Sequence, residues 1–328
     1  RSDPHLLLEG IIITCHALGA ETCVIYTRGE MWDARERLWD AIHEARGAGY
    51  LGENIFGMGK RLNVSVSQGG GAYICGEETA MLNSIEGKRG EPRFKPPFPA
   101  QNGIHGHPTT VNNVESIANI PGIIKNGADW FVALGVAGDG GTRLFGVSGP
   151  VKRPGLYERP QGYNLKKLIF DDAGGLQDGL TLQAVIPGGS SCAVLRADEI
   201  DVPHSFDGLR PVGSTAGSGG VIVIPDRSCM VAVLKNLTHF YAHESCGQCT
   251  PCREGTHWLD LLVTKIERGE GTLHDLDTLE HVARNMMGTT ICALSEAAAV
   301  PVLSFISKFR DDFVAHIEQG RCPKEGRL

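Results

Sequence analysis

The stretch Glu244-Ser245-Cys246-Gly247-Gln248-Cys249-Thr250-Pro251-Cys252-Arg253-Glu254 puts three thiols on one short loop. Cys-x-x-Cys-x-x-Cys curls so that its sulfurs converge, as ferredoxin-type loops do to hold three corners of a [4Fe-4S] cube. Such a cube needs a fourth thiolate. Cys292, in Thr289-Thr290-Ile291-Cys292-Ala293-Leu294, is best placed because it opens an expected helix, and Cys229 and Cys322 are the fallback ligands. A zinc site is the competing chemistry, but zinc usually pairs two separated Cys-x-x-Cys hooks, so the evenly spaced triple favours iron and sulfur. The ten cysteines are scattered and the chain carries no signal-peptide pattern, which argues against a disulfide framework.

A second stretch that can do chemistry is Ser67-Gln68-Gly69-Gly70-Gly71-Ala72-Tyr73-Ile74-Cys75-Gly76-Glu77-Glu78-Thr79-Ala80. Bare backbone between a strand and a helix is a place for a flat cofactor to lie. It is not a phosphate loop, because Gly-Lys-Ser/Thr is missing and Glu77 and Glu78 would repel a phosphate at the helix start. Carboxylates there suit hydroxyls and amides, or else they complement the helix dipole. Next, Lys88 to Pro99 is a stiff, basic, aromatic segment whose prolines can present Lys95 to a pyrophosphate and Phe98 to an adenine. The plainer reading is a surface loop or a proline-rich ligand. Asn112 and Asn113, before a helix expected to end at Ile120 with Pro121-Gly122, can cap that helix or bind a ligand's carbonyls and hydroxyls. Cys192 has no identifiable base nearby and reads as structural.

The elements that must position these residues follow from periodicity. Helices are expected at Pro4 to Gly19 and Trp32 to Ala48, strands at Thr22 to Tyr26 and Leu62 to Val66. That alternation predicts a multi-domain α/β chain beginning with a three-layer domain around a mostly parallel sheet. Gly135 to Gly141 reads as a linker. Short strands at 143–148, 156–158, 182–186 and 221–224, around one helix at 165–172, predict a compact α+β unit. From Ser228 onward, helices at 228–243, 254–267, 273–287 and 293–319 predict a four-helix bundle with the thiols at one end. The domains are therefore expected at 1–133, 134–226 and 227–328. With 328 residues, 41% of them hydrophobic, and a net charge of −7, no broad basic field is available for nucleic acid. No apolar run reaches the ~20 residues of a membrane span, so no direct membrane insertion is expected.

Taken together and in this order, Gly71 to Ala80, Arg93-Phe94-Lys95-Pro96-Pro97-Phe98-Pro99, Pro108 to Glu115, the cysteine loop and Ile291-Cys292-Ala293-Leu294 resemble the flavin-containing NADH-binding subunits of respiratory complex I, the F subunits of the bacterial NADH-quinone oxidoreductases. The resemblance runs from Asp3 to about Cys322. It implies a Rossmann-like α/β domain holding FMN and NADH, a β-grasp (ubiquitin-like, SLBB) domain, and a helical bundle carrying a [4Fe-4S] cluster. It further implies that Tyr73, Gly76, Glu77, Glu78, Asn112 and Asn113 line the flavin, and that Glu78, the catalytic candidate, faces the nicotinamide end. Lys95 would sit near the dinucleotide, Phe98 against its adenine, and Cys246, Cys249, Cys252 and Cys292 on the cluster. The implied activity is hydride transfer from NADH to FMN, then single-electron transfer to the cluster and onward toward quinone. The implied partners are the other peripheral-arm subunits, among them a thioredoxin-like [2Fe-2S] subunit and a larger iron-sulfur subunit. The implied location is the cytoplasmic face of the inner membrane, or the mitochondrial matrix in a eukaryote. Related subunits serve as diaphorases of NAD-linked hydrogenases and formate dehydrogenases. A structural or electron-relay module without dinucleotide chemistry is the alternative from another class. The family's first flavin loop, an Arg-Gly-Gly-Ala-Gly-Phe stretch, lies upstream of Asp3, so the chain is expected to be N-terminally incomplete.

Overall fold

A computed structural model describes residues 1–324, which fold as two compact units, Arg1–Phe131 and the chain from Val132 onward. In the first unit, Asp3 starts α1 (Pro4–Leu18) by accepting the Leu6 N–H at 2.9 Å, and Gly19, at φ +69°, ends it. A cap of that kind stabilises a helix by about 1 kcal/mol. Then come β1 (Thr22–Thr27), α2 (Trp32–Gly47), β2 (Gly52–Ile55) and β3 (Lys60–Gln68). Leu8, Ile11, Ile25, Ile42, Leu62 and Val64 form the core between helices and sheet.

The sheet order is β1-β3-β2. β1 runs parallel to β3, while β2 runs antiparallel to it. The expectation of a mostly parallel sheet therefore needs correcting, for half its pairings are antiparallel. Periodicity does not reveal β2 because Gly52-Glu53-Asn54-Ile55 is short, polar and exposed at its centre.

Two further helices, α3 (Glu78–Ile85) and α4 (Val114–Asn126), lie beyond the sheet in sequence. The expected stop at Ile120 is wrong, since α4 continues through Pro121. Proline has no N–H for the carbonyl four residues back, which here is Ile117. That carbonyl lies against Gly10 of α1, where a Cβ would collide with it. The missing side chain lets α1 approach a place where the helix ladder is already open. A last short helix, α5 (Ala128–Ala133), runs past the unit boundary.

The second unit contains a five-stranded sheet of order β5-β4-β8-β6-β7. Its strands are β4 (Thr142–Ser148), β5 (Gly155–Pro160), β6 (Leu182–Ile186), β7 (Leu195–Arg196) and β8 (Gly220–Pro225). β4 pairs with β8 in parallel and with β5 antiparallel; β6 pairs antiparallel with both β7 and β8. Against it lie α6 (Leu165–Lys167), continued by a π-helical turn at Leu168–Asp172, and α7 (Phe206–Leu209). Phe145, Val147, Leu165, Ile169, Val185, Leu195 and Val221 fill the core between them. The stretch expected as a linker is a tight turn closed by the Val136–Asp139 bridge.

Four amphipathic helices complete the unit: α8 (Met230–Glu244), α9 (Thr250–Glu267), α10 (Leu273–Met286) and α11 (Leu294–Gln319). Each packs on its sequence neighbour, and α11 returns against α8. On α9, Cys252, Thr256, Leu259, Val263 and Ile266 are buried at a spacing of three or four, the single stripe a helix needs to face a core. Thr272 and Asp275 form a capping box at the start of α10. Sheet and helices are joined by Ser304 Oγ accepting the Val194 N–H at 3.1 Å and by Lys308 Nζ on Glu199 Oε2 at 2.6 Å. No described helix is long and apolar enough to cross a membrane.

Candidate functional site

Because β1 and β3 run in the same direction, their carboxyl ends lie side by side, with Thr27 opposite Gln68. Ligands of α/β sheets sit beyond such ends. Here the chain is glycine on both sides. A Cβ on Gly29 would lie 2.8 Å from the Gly69 oxygen and from the Gly71 nitrogen, so only glycine permits this approach. Gln68 Nε2 donates to the Gly29 carbonyl at 3.0 Å and holds the two loops together. Gly71, at φ +99°, turns the chain into a short 3₁₀ turn, Tyr73–Gly76, and Glu77 then opens α3. Gly70 and Gly76 face open space, and the Tyr73 ring is half exposed.

Glu77 is the cap of α3. Its Oε2 accepts the Thr79 and Ala80 N–H groups at 2.8 and 2.9 Å and the Thr79 hydroxyl at 2.5 Å. Its Oε1 accepts from Lys95 Nζ at 3.0 Å, and Lys95 also donates to Glu78 Oε1 at 2.5 Å. Burial opposes ionisation of Glu77, but the Thr79, Ala80 and Lys95 donors outweigh it and hold the carboxyl below its usual range. Burial likewise opposes the charge on Lys95, and the paired carboxylates outweigh it and push the ammonium up. Glu77 thus caps the helix with one carboxylate oxygen and grips Lys95 with the other.

The proline segment is fastened to α3 by residues that sequence reasoning did not single out. Thr79 Oγ1 accepts the Arg93 N–H at 2.8 Å, and Arg93 donates to Asn83 Oδ1 at 2.8 Å and to the Gly103 carbonyl at 3.1 Å. Glu86, whose side chain is only 4% exposed, pairs with Arg93 at 2.9 Å and Lys88 at 2.7 Å and accepts the His105 N–H. Lys88, His105 and Arg93 overcome the cost of burial and push its carboxyl down to about 2. The only signal in the sequence was an arginine inside a rigid segment following a helix that ends in glutamate.

The remaining candidates are placed by other contacts. Asn113 caps α4 by accepting the Glu115 N–H at 2.8 Å. Asn112 lines a cleft of about 420 Å³ with Thr14, Ala17, Ile120 and Ile124. The Phe98 ring is exposed. A cleft of about 460 Å³, lined by Cys15, His16, Lys60 and Arg61, holds none of the candidates.

The cysteine loop leaves α8 at Ser245 and turns at Gly247, φ +80°. Arg253 Nη1 ties it by donating to the Gly247 carbonyl at 2.7 Å. Cys249 stands at the cap position of α9, and Cys252 is buried in its first turn. Cys292 lies just before α11, with its carbonyl accepting the Thr290 hydroxyl at 2.9 Å. Burial raises the Cys252 thiol, and the nearby Cys292, Cys246 and Cys249 sulfurs raise it further. Cys246, Cys249 and Cys292 are thus near enough to Cys252 for their charge to oppose its ionisation. Four cysteine sulfurs are the donor set that an iron-sulfur cluster takes, and a bound cation would favour their thiolate forms. Cys192 is buried and its thiol is raised by burial, in keeping with a structural role.

Two family profiles match the chain. Residues 1–122 match the Nuo51 FMN-binding domain, and residues 232–316 match the NADH-ubiquinone oxidoreductase-F iron-sulfur binding region. The second of the F subunits of NADH-quinone oxidoreductase in Rhizobium meliloti is 48% identical over 98% of this chain and 76% of its own length. The F subunit of the Streptomyces coelicolor NADH-quinone oxidoreductase is 46% identical over 98% of this chain and 72% of its own. Among solved structures, the NAD+-reducing [NiFe]-hydrogenase in its H2-reduced state superposes with a TM-score of 0.87 at 35% identity, over 96% of this chain. The chain spans about half the length of that hydrogenase chain, 52%. With its FMN-binding domain, its iron-sulfur region and this identity along nearly its whole length, the chain belongs to the family of NADH-quinone oxidoreductase F subunits.

Proposed function

We propose that this chain is the NADH-oxidising subunit of a complex I-type NADH-quinone oxidoreductase. The observation that supports it best is the bare glycine turn at the carboxyl ends of β1 and β3, with the Glu77–Lys95–Glu78 group at its edge. FMN, when bound, supplies the hydride acceptance from NADH and the release of electrons singly. Gly70 and Gly76 leave room for a flat ring against backbone. Tyr73, Asn112 and Asn113 would add contacts to it. Glu78, whose side chain is 37% exposed, can exchange Lys95 for a ligand hydroxyl or carboxamide. Lys95 would then turn toward the dinucleotide's phosphates, with Phe98 against its adenine. Glu77 stays in place as the cap. No side chain needs to act as a general acid or base; the residues bind, orient and exclude water. Cys246, Cys249, Cys252 and Cys292 would hold the [4Fe-4S] cluster.

The finer architecture belongs to the same proposal. Residues 1–133 form the Rossmann-like part, 134–226 the β-grasp part and 227–328 the cluster-bearing helical bundle. Electrons would pass to neighbouring peripheral-arm subunits, a thioredoxin-like [2Fe-2S] subunit and a larger iron-sulfur subunit, at the membrane's cytoplasmic face. The structural likeness to the NAD+-reducing hydrogenase favours one second reading, a diaphorase subunit.

A visible spectrum of the full-length subunit before and after anaerobic NADH, with flavin and iron assayed on the same sample, tests the proposal. Flavin with about four irons per chain, bleached by NADH, is expected. Iron without flavin or bleaching leaves only the relay reading, and zinc in place of iron overturns the cluster. Hydrogenase subunits co-purifying in place of quinone-reductase subunits favour the diaphorase.

A further inference from the structure

Cys229 and Cys322, the fallback cluster ligands, lie at the far end of the helices from the cysteine loop. Cys229 caps the start of α8, whereas the loop follows its end. At about 1.5 Å per residue, the 15 residues of α8 separate the two places by roughly 22 Å. At the far end, the Cys229 and Cys322 sulfurs and a ring nitrogen of His316 all lie within 4.8 Å of one another. Cys229 and His316 are buried.

Each member is held in place by structure around it. The His316 Nδ1 lies 2.7 Å from the Asp312 carbonyl. A carbonyl can only accept, so in the neutral ring Nδ1 carries the proton and Nε2 presents its lone pair. That lone pair faces Cys229 Sγ at 3.3 Å. Donation of the remote ring N–H to a backbone carbonyl is the usual arrangement behind a metal-bound histidine. Cys229 Sγ also accepts the Ala232 N–H at 3.4 Å, from the positive end of α8.

Cys322 comes from a tail that is fixed on both sides. Gly320, at φ +61°, turns the chain out of α11 and packs on Gly269, where a Cβ would collide with it. Beyond Cys322, Lys324 Nζ donates to the carbonyls of Asp226 and Ser228 at 2.9 and 2.7 Å and to Gln183 Oε1 at 2.9 Å. The ammonium thus sits on the turn that leads into Cys229.

We propose that Cys229, His316 and Cys322 form a second metal site that takes one zinc ion, with water in the fourth position. Two thiolates and an imidazole are a donor set that zinc favours and harder cations do not. Tetrahedral bond lengths place sulfur and nitrogen ligand atoms roughly 3.5 Å apart and two sulfurs roughly 3.8 Å apart. The three atoms need only a small closure to reach that geometry. On binding, each thiol loses its proton to solvent and its sulfur bonds zinc, while the neutral imidazole gives its Nε2 lone pair. No electrons move. The ion clamps the start of α8, the end of α11 and the tail, and it takes no part in electron transfer.

The test uses the full-length subunit with its iron-sulfur cluster assembled anaerobically, equilibrated with Zn2+ alone and desalted. Metal analysis should find about one zinc per chain besides the iron. Zinc X-ray absorption should show two sulfurs at about 2.3 Å and one imidazole nitrogen at about 2.0 Å. Cys322→Ser, at a half-exposed position, and His316→Gln should each lower zinc retention by about tenfold or more, with iron content and the cluster's paramagnetic signal unchanged. Retained cluster signals show that the variants fold. Absence of zinc, an all-sulfur shell lost only in Cys246→Ser, or a Cys229–Cys322 disulfide in the non-reduced peptide map would each overturn the proposal.

Discussion

The carboxylate–lysine group beside the glycine turn and the thiols at the end of α8 treat charge in opposite ways. Lys95 already neutralises much of Glu77 and Glu78, and backbone N–H groups solvate Glu77. That group is held by its own ion pairs and backbone donors. The thiols have no such balance among themselves: burial and the neighbouring sulfurs both oppose ionisation at Cys252. One region balances its carboxylates with an ammonium and backbone donors; in the other, neighbouring thiols oppose one another's ionisation.

The largest effect should come from breaking the second kind of region. Cys249→Ala should abolish the cluster's paramagnetic signal and most of its iron, and a retained wild-type signal would remove Cys249 from the ligand set. Raising pH should ease cluster assembly, because the Cys252 thiol, held up by burial and its neighbours, must lose its proton to bind. Reconstitution rates that are flat or falling across the alkaline range would contradict that.

In the first kind of region the effects should be graded. Glu77→Ala removes a cap that accepts two backbone N–H groups and should lower the stability of this unit by about 1–2 kcal/mol in denaturant titrations. Glu78→Gln leaves the cap intact and should change the KM for NADH by about tenfold, equivalent to about 1.4 kcal/mol. Identical stability and KM in the two variants would erase the distinction between cap and ligand-facing carboxylate.

Glu86 supplies the pH counterpart. Its carboxyl is held down from 4.5 to about 2, so the charged form is the stabilising one. The contribution is fully present above about 4.5 and is lost as pH falls toward about 2, up to about 3 kcal/mol in all. Because Lys88 is exposed, the measured value should fall below that limit. Glu86→Gln should flatten acid unfolding of the first unit across that window, and an unaltered profile would mean that other carboxyls carry it.

Local chemistry was readable because it depends on neighbours in the chain. The cysteine loop displays its ligand spacing within seven residues, Cys246 to Cys252, and α1 announces itself by Asp3, Pro4 and Gly19. The buried stripe of α9 follows from a 3.6-residue period. The edge strand β2 was missed because an exposed strand has no apolar alternation to read. α4 ran on through Pro121 because packing against Gly10 of α1 tolerates the broken hydrogen bond there. Propensity assigns that penalty to an isolated helix, and tertiary contact overrode it.

The sequence by itself determined the family, the alternation of helices and strands, and the three cysteines that can curl about one point. Only the tertiary structure decided that Glu77 caps α3 while Glu78 pairs with Lys95, and that Arg93 and Glu86 fasten the proline segment. It alone brought Cys229 to His316, 87 positions away, and parted both from the cysteine loop by the length of α8. Spacing along the chain fixes what a loop or a helical turn can do within a few residues. Which distant side chains meet is set by how helices and sheets bury their apolar faces, and that is a property of the whole fold.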